Sequence, residues 1–388
     1  VDNSATLADR WGSSRRRVAV WRDEWLPRSE TFIRDQMQAM NAWQPVPLGL
    51  FRSTPADELA WVAVPRVVPR RVAGRLRSTR LAQARIANRL RRDSVDIVHA
   101  HFGTGAVTVL PAVKKRSLPL VVTFHGFDAS RLLFGNDIAA RRYQSDLRGV
   151  FDYASVIIAV SEYIADNVRS AGAPPAKIRV MPIGSKVVPP VSGARAEERA
   201  GILFVGRLVP KKGVDDLLDS IALIDAPLRA TPVTIVGDGP ERSDLERKAL
   251  DLGLNVSFTG ALDHEGVRRK MSEASIFVAP SKTAPDGDAE GFGMVFLEAS
   301  QAGLASIAYR HGGVREAVVD GVTGLLADEG DVAQLSRKVA ELLKNPERAR
   351  SLGEAGRLRA TNEFDIRTRT AALEGLYDEV LRDHRDRS

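Results

Sequence analysis

Glu290 and Glu298 stand eight positions apart in Glu290-Gly-Phe-Gly-Met-Val-Phe-Leu-Glu298, with glycines directly after the first carboxylate. An ionised carboxylate only accepts hydrogen bonds, so each can take a hydroxyl of a neutral polar ligand such as a sugar. Gly291 and Gly293 let backbone amides approach a ligand with no Cβ in the way. Met294 to Ala302 is apolar with helical character, so the glycines open a helix. A helix start presents unpaired N–H groups and the positive end of the helix dipole, which suits a phosphate. Together these residues suggest a sugar-diphosphate site. Glu298 could also be a surface charge or a capping group, but Leu297 and Ala299 on either side argue against full exposure.

Two cations could supply the rest of that chemistry. Arg207 and Lys212 lie in Phe204-Val-Gly206-Arg207-Leu-Val-Pro-Lys-Lys212-Gly213, behind a short apolar run that reads as a strand. Open α/β sheets place their ligands at the carboxyl ends of strands. Breaking a sugar–diphosphate bond builds charge on the leaving oxygen, and fixed cations there lower the barrier. Without their surroundings, both would read as solvated loop charges. His125 closes Val121-Val-Thr-Phe124 and precedes Gly126, which is again a strand end; His101 follows Ala100 in the same way. A lone histidine is usually structural or solvated, and for His101 that reading weighs at least as much.

The elements that must hold these residues follow from the alternation of short apolar runs with helical patterns, which predicts βαβ units and parallel sheets. Strands are predicted at Val18–Trp21, Val46–Leu50, Val95–Ala100, Leu118–Phe124, Ser155–Val160 and Ile178–Pro182. A second series covers Gly201–Val205, Val233–Val236, Val256–Phe258, Ile276–Ala279 and Ala305–Ala308. Each series predicts a doubly wound α/β sheet. The expected domains are 1–186, a linker over 187–200 marked by Pro189-Pro190 and Ser192-Gly193, 201–363, and a C-terminal helix over 364–388.

At this point the chain resembles the family 4 retaining glycosyltransferases, whose architecture is the two-Rossmann GT-B fold. Four blocks carry the resemblance: Glu290-x7-Glu298, the Gly206 to Gly213 segment, Val236-Gly-Asp-Gly-Pro240, and Gly312-Gly313-Val-Arg-Glu316 with Asp320-Gly321-x-x-Gly324. The resemblance implies a cleft between the two sheets, a C-terminal helix returning to the first domain, and a nucleoside-diphosphate sugar as co-substrate, UDP favoured over GDP by frequency. It assigns Gly206, Arg207 and Lys212 to the donor diphosphate and Glu290 to a sugar hydroxyl. The backbone of Gly291, Phe292, Gly293, Met294 and Val295 would hold the sugar and diphosphate, and Glu298 the ribose. His125 would lie near the donor sugar. Glu290, His125, Arg207 and Lys212 form the expected catalytic set.

One loop departs from the common family pattern. Many members have a glycine-rich turn after the first strand; here the segment is Trp25-Leu-Pro-Arg28-Ser29-Glu30-Thr31-Phe32. It resembles a subgroup active in bacterial polysaccharide assembly, in which such a run opens the first helix, and Ser29 could cap that helix. Arg28, Ser29, Thr31 and His101 are expected on the acceptor side. Asp286-Gly287-Asp288 is an Asp-x-Asp pair of the kind that can bind a divalent cation. It also reads as a turn. The turn is favoured, and no metal or other cofactor is expected.

Composition bounds the rest. The chain has 388 residues, 44% hydrophobic and 27% charged, as in soluble globular proteins, and no cysteine. Disulfides and thiolate metal sites are therefore excluded. No signal peptide and no membrane-spanning run is expected, which points to a cytoplasmic enzyme. Residues 66–92 hold ten arginines and no acid, interleaved with Val72, Leu76, Leu81, Ile86 and Leu90. This is either a solvated helix with one buried face or a basic amphipathic surface meeting anionic membrane or a phosphorylated acceptor. No aromatic platform points to nucleic acid. The expected partners are the nucleotide sugar and a hydroxyl acceptor, lipid-linked or polysaccharide. A natural-product transferase with a soluble acceptor and a non-catalytic sugar-nucleotide-binding protein stay as rivals. A dehydrogenase is disfavoured, because no Gly-x-Gly-x-x-Gly follows the first strand of either half.

Overall fold

The computed structural model describes residues 15–25, 30–52, 60–63, 79–187 and 199–387. These form two units: the first runs to Gly184 and resumes at Ile366, and the second is Ser185–Asp365.

The first unit holds seven strands: β1 (Arg17–Trp25), β2 (Gln44–Arg52), β3 (Trp61–Val62), β4 (Ile97–His101), β5 (Leu120–Phe124), β6 (Val156–Ala159) and β7 (Ile178–Val180). Their order is β3-β2-β1-β4-β5-β6-β7, and every pairing is parallel. The long helices are α1 (Thr31–Ala39), α2 (Arg80–Arg92), α3 (Gly103–Lys115), α4 (Ile138–Tyr153), α5 (Glu162–Ser170) and, from the far end of the chain, α12 (Ile366–Arg387). The second unit holds β8 (Ile202–Val205), β9 (Val233–Val236), β10 (Val256–Gly260), β11 (Ile276–Val278), β12 (Ala305–Tyr309) and β13 (Gly324–Ala327). Their order is β10-β9-β8-β11-β12-β13, again parallel. Its helices are α6 (Val214–Ala222), α7 (Arg242–Asp251), α8 (His264–Glu273), α9 (Met294–Gln301), α10 (Val332–Lys344) and α11 (Pro346–Glu363).

The expected α/β class with two parallel sheets is what the structure has. Two strands escaped the sequence reading. β3 is two residues long, and β13 is a glycine followed by three apolar residues, too short to show alternation. Strand order also fixes where ligands go. Successive strands run outward in both directions from β1/β4 and from β8/β11, so each sheet has a crevice at those carboxyl ends.

Helix α12 belongs to the first unit because its residues complete that unit's core. Leu373, Leu376, Tyr377, Val380 and Leu381 pack in one cluster with Val18, Ile33, Trp43 and Ile97. The buried Glu374 carboxylate accepts N–H groups from Asn41, Ala42 and Trp43 at 2.9, 2.8 and 2.8 Å. Three donors on one oxygen are what a buried charge needs.

Two expectations fall only partly on the described residues. Helix α1 starts at Thr31 with Glu30 at its N-cap, and the Glu30 side chain does not cap it, because its carboxylate is engaged by Arg22. Ser29, the expected cap, and Arg28 lie outside the described residues. In the basic segment, residues 66–78, with Val72 and Leu76, also lie outside them. In α2, Ile86 and Leu90 are buried with Ala82 and Ala87, whereas Leu81 is 73% exposed. The described half is therefore a helix with one core face, with Arg80, Arg85, Arg91 and Arg92 exposed.

Candidate active site

In the second unit the sheet crevice gathers the loop after β8 and the loop after β11. Gly206 leaves β8 with its N–H donated to the Val236 carbonyl at 3.0 Å. The chain then turns through Pro210–Lys212 into Gly213, whose φ of +63° suits glycine. A Cβ there would lie 2.0 Å from the Pro280 carbonyl oxygen. That close approach presses the Lys211–Lys212 turn against the end of β11.

Ion pairs then tie the two loops together. Lys212 Nζ lies 2.5 Å from Glu290 Oε2, with both side chains less than one-fifth exposed. Lys211 meets Asp288 at 2.9 Å, and Lys282 meets Asp215 and Asp216 at 2.8 and 2.6 Å. Tyr309 donates its hydroxyl to Asp216 at 3.0 Å, beneath the Lys282 pairs. Burial alone would raise the Glu290 carboxyl; the Lys212 and Lys211 ammoniums outweigh it and hold the group below its ordinary 4.5. Glu290 is therefore an ionised acceptor at neutral pH. Arg207 is exposed, and its guanidinium has no partner among the described residues.

Downstream of Glu290 the chain enters α9 through Gly293 at φ +88°, which is also its N-cap. No side chain caps this helix, so its first N–H groups face outward from a glycine turn. Phe292 is buried against Phe364, with ring centroids 5.6 Å apart, so only its backbone can serve a ligand. Met294, Val295 and Glu298 are half-buried, with Glu298 between buried Leu297 and Ala299.

Sequence reasoning missed what holds Glu290. Its backbone N–H donates to His311 Nε2 at 3.2 Å, and its carbonyl accepts the Gly313 N–H at 3.0 Å. His311 Nδ1 lies 2.9 Å from Glu329 Oε2, and Glu329 Oε1 accepts the Thr283 N–H at 2.6 Å. His311 sits just past β12, the same strand-end position that marked His125. That signal was present in the sequence but went unused.

Asp286-Gly287-Asp288 forms a turn. The Asp288 N–H donates to Asp286 Oδ1 at 3.1 Å, Gly287 has φ +82°, and the Ala284 N–H donates to the Asp288 carbonyl at 2.9 Å. Asp288 is committed to Lys211. No cluster of three metal-ligating side chains occurs among the described residues.

The first unit builds a histidine stack. His99 and His101 lie on β4 with rings 4.4 Å apart, and His101 stacks on His125 at 5.3 Å. His101 Nδ1 is 3.1 Å from His125 Nε2. His99 bonds the Tyr377 hydroxyl at 2.6 Å and Thr123 Oγ1 at 2.7 Å. Burial pushes all three imidazoles down, His99 from its ordinary 6.5 to about 3. They line a small crevice of about 20 Å³ with Gln36, Met181 and Arg369. His101 and His125 therefore lie side by side, and His101 is a buried, hydrogen-bonded strand residue.

Asp128 fixes the loop that carries His125. Its carboxylate accepts N–H groups from His125, Gly126 and Gly103 at 3.2, 3.0 and 2.8 Å. Phe102, between His101 and Gly103, has φ +65° and ψ 140°, a conformation that costs a non-glycine residue about 1–3 kcal/mol. Its ring is clasped by the Arg22 guanidinium at 4.2 Å and packs on His125 at 4.5 Å. Arg22 in turn forms a bidentate pair with Glu30 at 2.6 and 2.7 Å. Thr31 opens α1 beside this pair.

Two family profiles match this chain: Glycosyltransferase Family 4 over residues 38–185 and Glycosyl transferases group 1 over residues 190–359. The chain is 34% identical over 315 residues to the GDP-mannose-dependent alpha-(1-6)-phosphatidylinositol monomannoside mannosyltransferase of Mycolicibacterium smegmatis, covering 76% of this chain and 81% of the relative. Among solved structures, sucrose-phosphate synthase from Thermosynechococcus elongatus superposes with a TM-score of 0.78 at 21% identity, covering 95% of this chain and 100% of that one. HepE of Anabaena in complex with UDP superposes with a TM-score of 0.75 at 18% identity, covering 94% and 100%.

Proposed function

The chain belongs to glycosyltransferase family 4, and on that premise we propose that it is a retaining, metal-independent enzyme moving a sugar from a nucleoside-diphosphate sugar to an acceptor hydroxyl. The observation that carries this reading is the Lys212–Glu290 pair at the crevice of the second sheet. It sets a fixed cation and a glutamate held ionised beside an uncapped helix start. In the proposed roles, Lys212 and Arg207 meet the diphosphate behind Gly206. The backbone of Gly291, Phe292, Gly293, Met294 and Val295 lines the sugar and phosphates. Glu290 accepts a sugar hydroxyl, and Glu298 accepts the ribose hydroxyls. His125 attends the sugar, with His101, Arg28, Ser29 and Thr31 on the acceptor side. The bond between the anomeric carbon and the diphosphate oxygen breaks, the acceptor oxygen bonds the same face of that carbon, and its proton passes to the leaving diphosphate.

GDP-mannose is the first donor to try, because the mycobacterial relative is named for it. UDP-sugars, favoured by frequency in the family, are the alternative. That relative's name also supports a lipid-linked acceptor, in glycolipid or polysaccharide assembly at the inner face of the membrane. No helix among the described residues is long and apolar enough to cross a membrane. Contact is proposed through the basic segment 66–92, whose exposed arginines on α2 fit anionic headgroups.

Thermal shift and calorimetry with GDP, UDP, ADP and their sugar conjugates test the donor site, on the wild type and on Glu298→Ala. Ligand at one hundred times its Kd stabilises by about 2.7 kcal/mol. One nucleotide class should do so selectively, and Glu298→Ala should weaken it. No response to millimolar nucleotide in either protein would sink the donor assignment. An inverted anomeric product by NMR would sink retention.

A further inference from the structure

Glu290 is held at three points. Its carboxylate meets Lys212, its carbonyl accepts the Gly313 N–H, and its own N–H donates to His311 Nε2. The last bond is the informative one. A ring nitrogen accepts only when it carries no proton, so Nε2 must be bare. The other nitrogen, Nδ1, faces Glu329 Oε2. Burial raises the Glu329 carboxyl, but the Thr283 N–H and His311 outweigh this and hold it below its ordinary 4.5. An ionised carboxylate only accepts, so Nδ1 must carry the proton. One state satisfies both bonds: a neutral imidazole protonated on Nδ1. The other tautomer would set N–H against N–H at Glu290 and a lone pair against the carboxylate. His311 is 3% exposed, so water offers little substitute for either bond.

We propose that His311, with Glu329 fixing its tautomer, is a positioning residue for Glu290: it sets where that carboxylate stands against the donor sugar without touching the sugar itself. The proposal rests on the role given to Glu290 above. Lys212 restrains only the side chain, and Gly313 restrains the Glu290–Gly291 peptide. The His311 bond fixes the preceding Ala289–Glu290 peptide, so without it that peptide can rotate and carry the carboxylate away. A misplacement of about 1 Å at a reacting centre can cost about 10²-fold in rate. Because Glu290 serves the sugar, the loss should fall on turnover and spare nucleotide binding.

The test uses the full chain and four variants: His311→Phe, His311→Gln, Glu290→Gln and the double variant His311→Phe/Glu290→Gln. Binding is read by calorimetry with GDP and UDP. Turnover is read as release of nucleoside diphosphate from GDP-mannose or UDP-glucose. His311→Phe, which fills the space but accepts nothing, should lower turnover about 10²-fold. Its nucleoside diphosphate Kd should move less than twofold. His311→Gln offers an oxygen where Nε2 stood and should restore most of the rate. On the Glu290→Gln background, His311→Phe should cost nothing further, since a residue acting through Glu290 has nothing left to position. Wild-type turnover in His311→Phe, no rescue by Gln, or losses that multiply in the double variant would each overturn the proposal. Should His311→Phe fail to fold, Glu329→Leu carries the test: the same split between rate and Kd is expected, and unchanged turnover overturns it. Normal turnover in Glu290→Gln would instead overturn the role of Glu290 itself.

Discussion

Lys212 carries the sharpest prediction that a single side chain allows. Its ammonium is fixed between the Pro210 turn and Glu290, so it is organised before charge develops nearby. Lys212→Ala should lower kcat about 10²–10³-fold, the usual loss when one organised group opposite developing charge is removed. Lys212→Arg should recover part of it, since the charge returns on a different fork. Steady-state kinetics with the donor found by the binding panel decides this; an unchanged kcat would remove Lys212 from the site. The sequence made Lys212 and Glu290 visible because loop charges at strand ends are few and their spacing is distinctive. It could not show that they pair, since they are far apart in the chain and meet only when β8 and β11 lie side by side. The pairing of Lys211 with Asp288 and of His311 with Glu329 stayed unread for the same reason.

Loops and helix starts set the geometry through glycine, and the two directions of that effect can be separated. A Cβ on Gly313 would stand 2.0 Å from the Gly291 carbonyl oxygen, which no side-chain rotation relieves. Gly313→Ala should therefore cost about 1–3 kcal/mol, the usual range for overpacking, and should weaken sugar-dependent turnover through the Glu290 loop. Gly375 in α12 has nothing within 4 Å of its built Cβ. Gly375→Ala should stabilise by about 0.5–1 kcal/mol, because glycine in a helix interior loses more chain entropy. Urea unfolding of both variants checks the pair, and a stabilised Gly313→Ala would refute the steric argument. Of the elements themselves, strands with continuous apolar runs, such as Leu120–Phe124, were readable in advance. The two-residue β3 was not, because pairing decides it rather than pattern.

Across the chain, buried titratable groups divide unevenly between the two units, and acid should tell them apart. His99, His101 and His125 are held neutral in the first unit, with folded values below the unfolded 6.5. Below pH 6.5 the unfolded unit binds more protons than the folded one, so stability present above that pH is lost as pH falls. With three such groups the slope approaches about 4 kcal/mol per pH unit. Asp128 opposes this weakly: burial raises its carboxyl, so the folded state takes up its proton first. In the second unit the depressed carboxylates include Glu290, Glu329, Asp320 and Glu354, and their contribution is lost only as pH falls below about 4.5. Every tryptophan among the described residues, Trp21, Trp25, Trp43 and Trp61, lies in the first unit, and none occurs in the sequence after position 61. Tryptophan fluorescence should therefore change near pH 6 to 5, ahead of the far-ultraviolet circular dichroism of the whole chain. Coincident transitions would show that the histidines do not control the first unit.

Residue order alone specified two parallel α/β sheets and the family, and it nominated Arg207, Lys212, Glu290, Glu298 and His125 for the proposed site, because each rests on local periodicity or short spacing. Folding settled the rest. It joined Lys212 to Glu290 across 78 positions, placed His101 beside His125 across 24, and closed the first unit's core with a helix from the other end of the chain. It also gave the Glu290 peptide a histidine whose tautomer is set by a second carboxylate. These are contacts between strand ends, and a linear pattern carries no record of which ends become neighbours until the strand order is fixed.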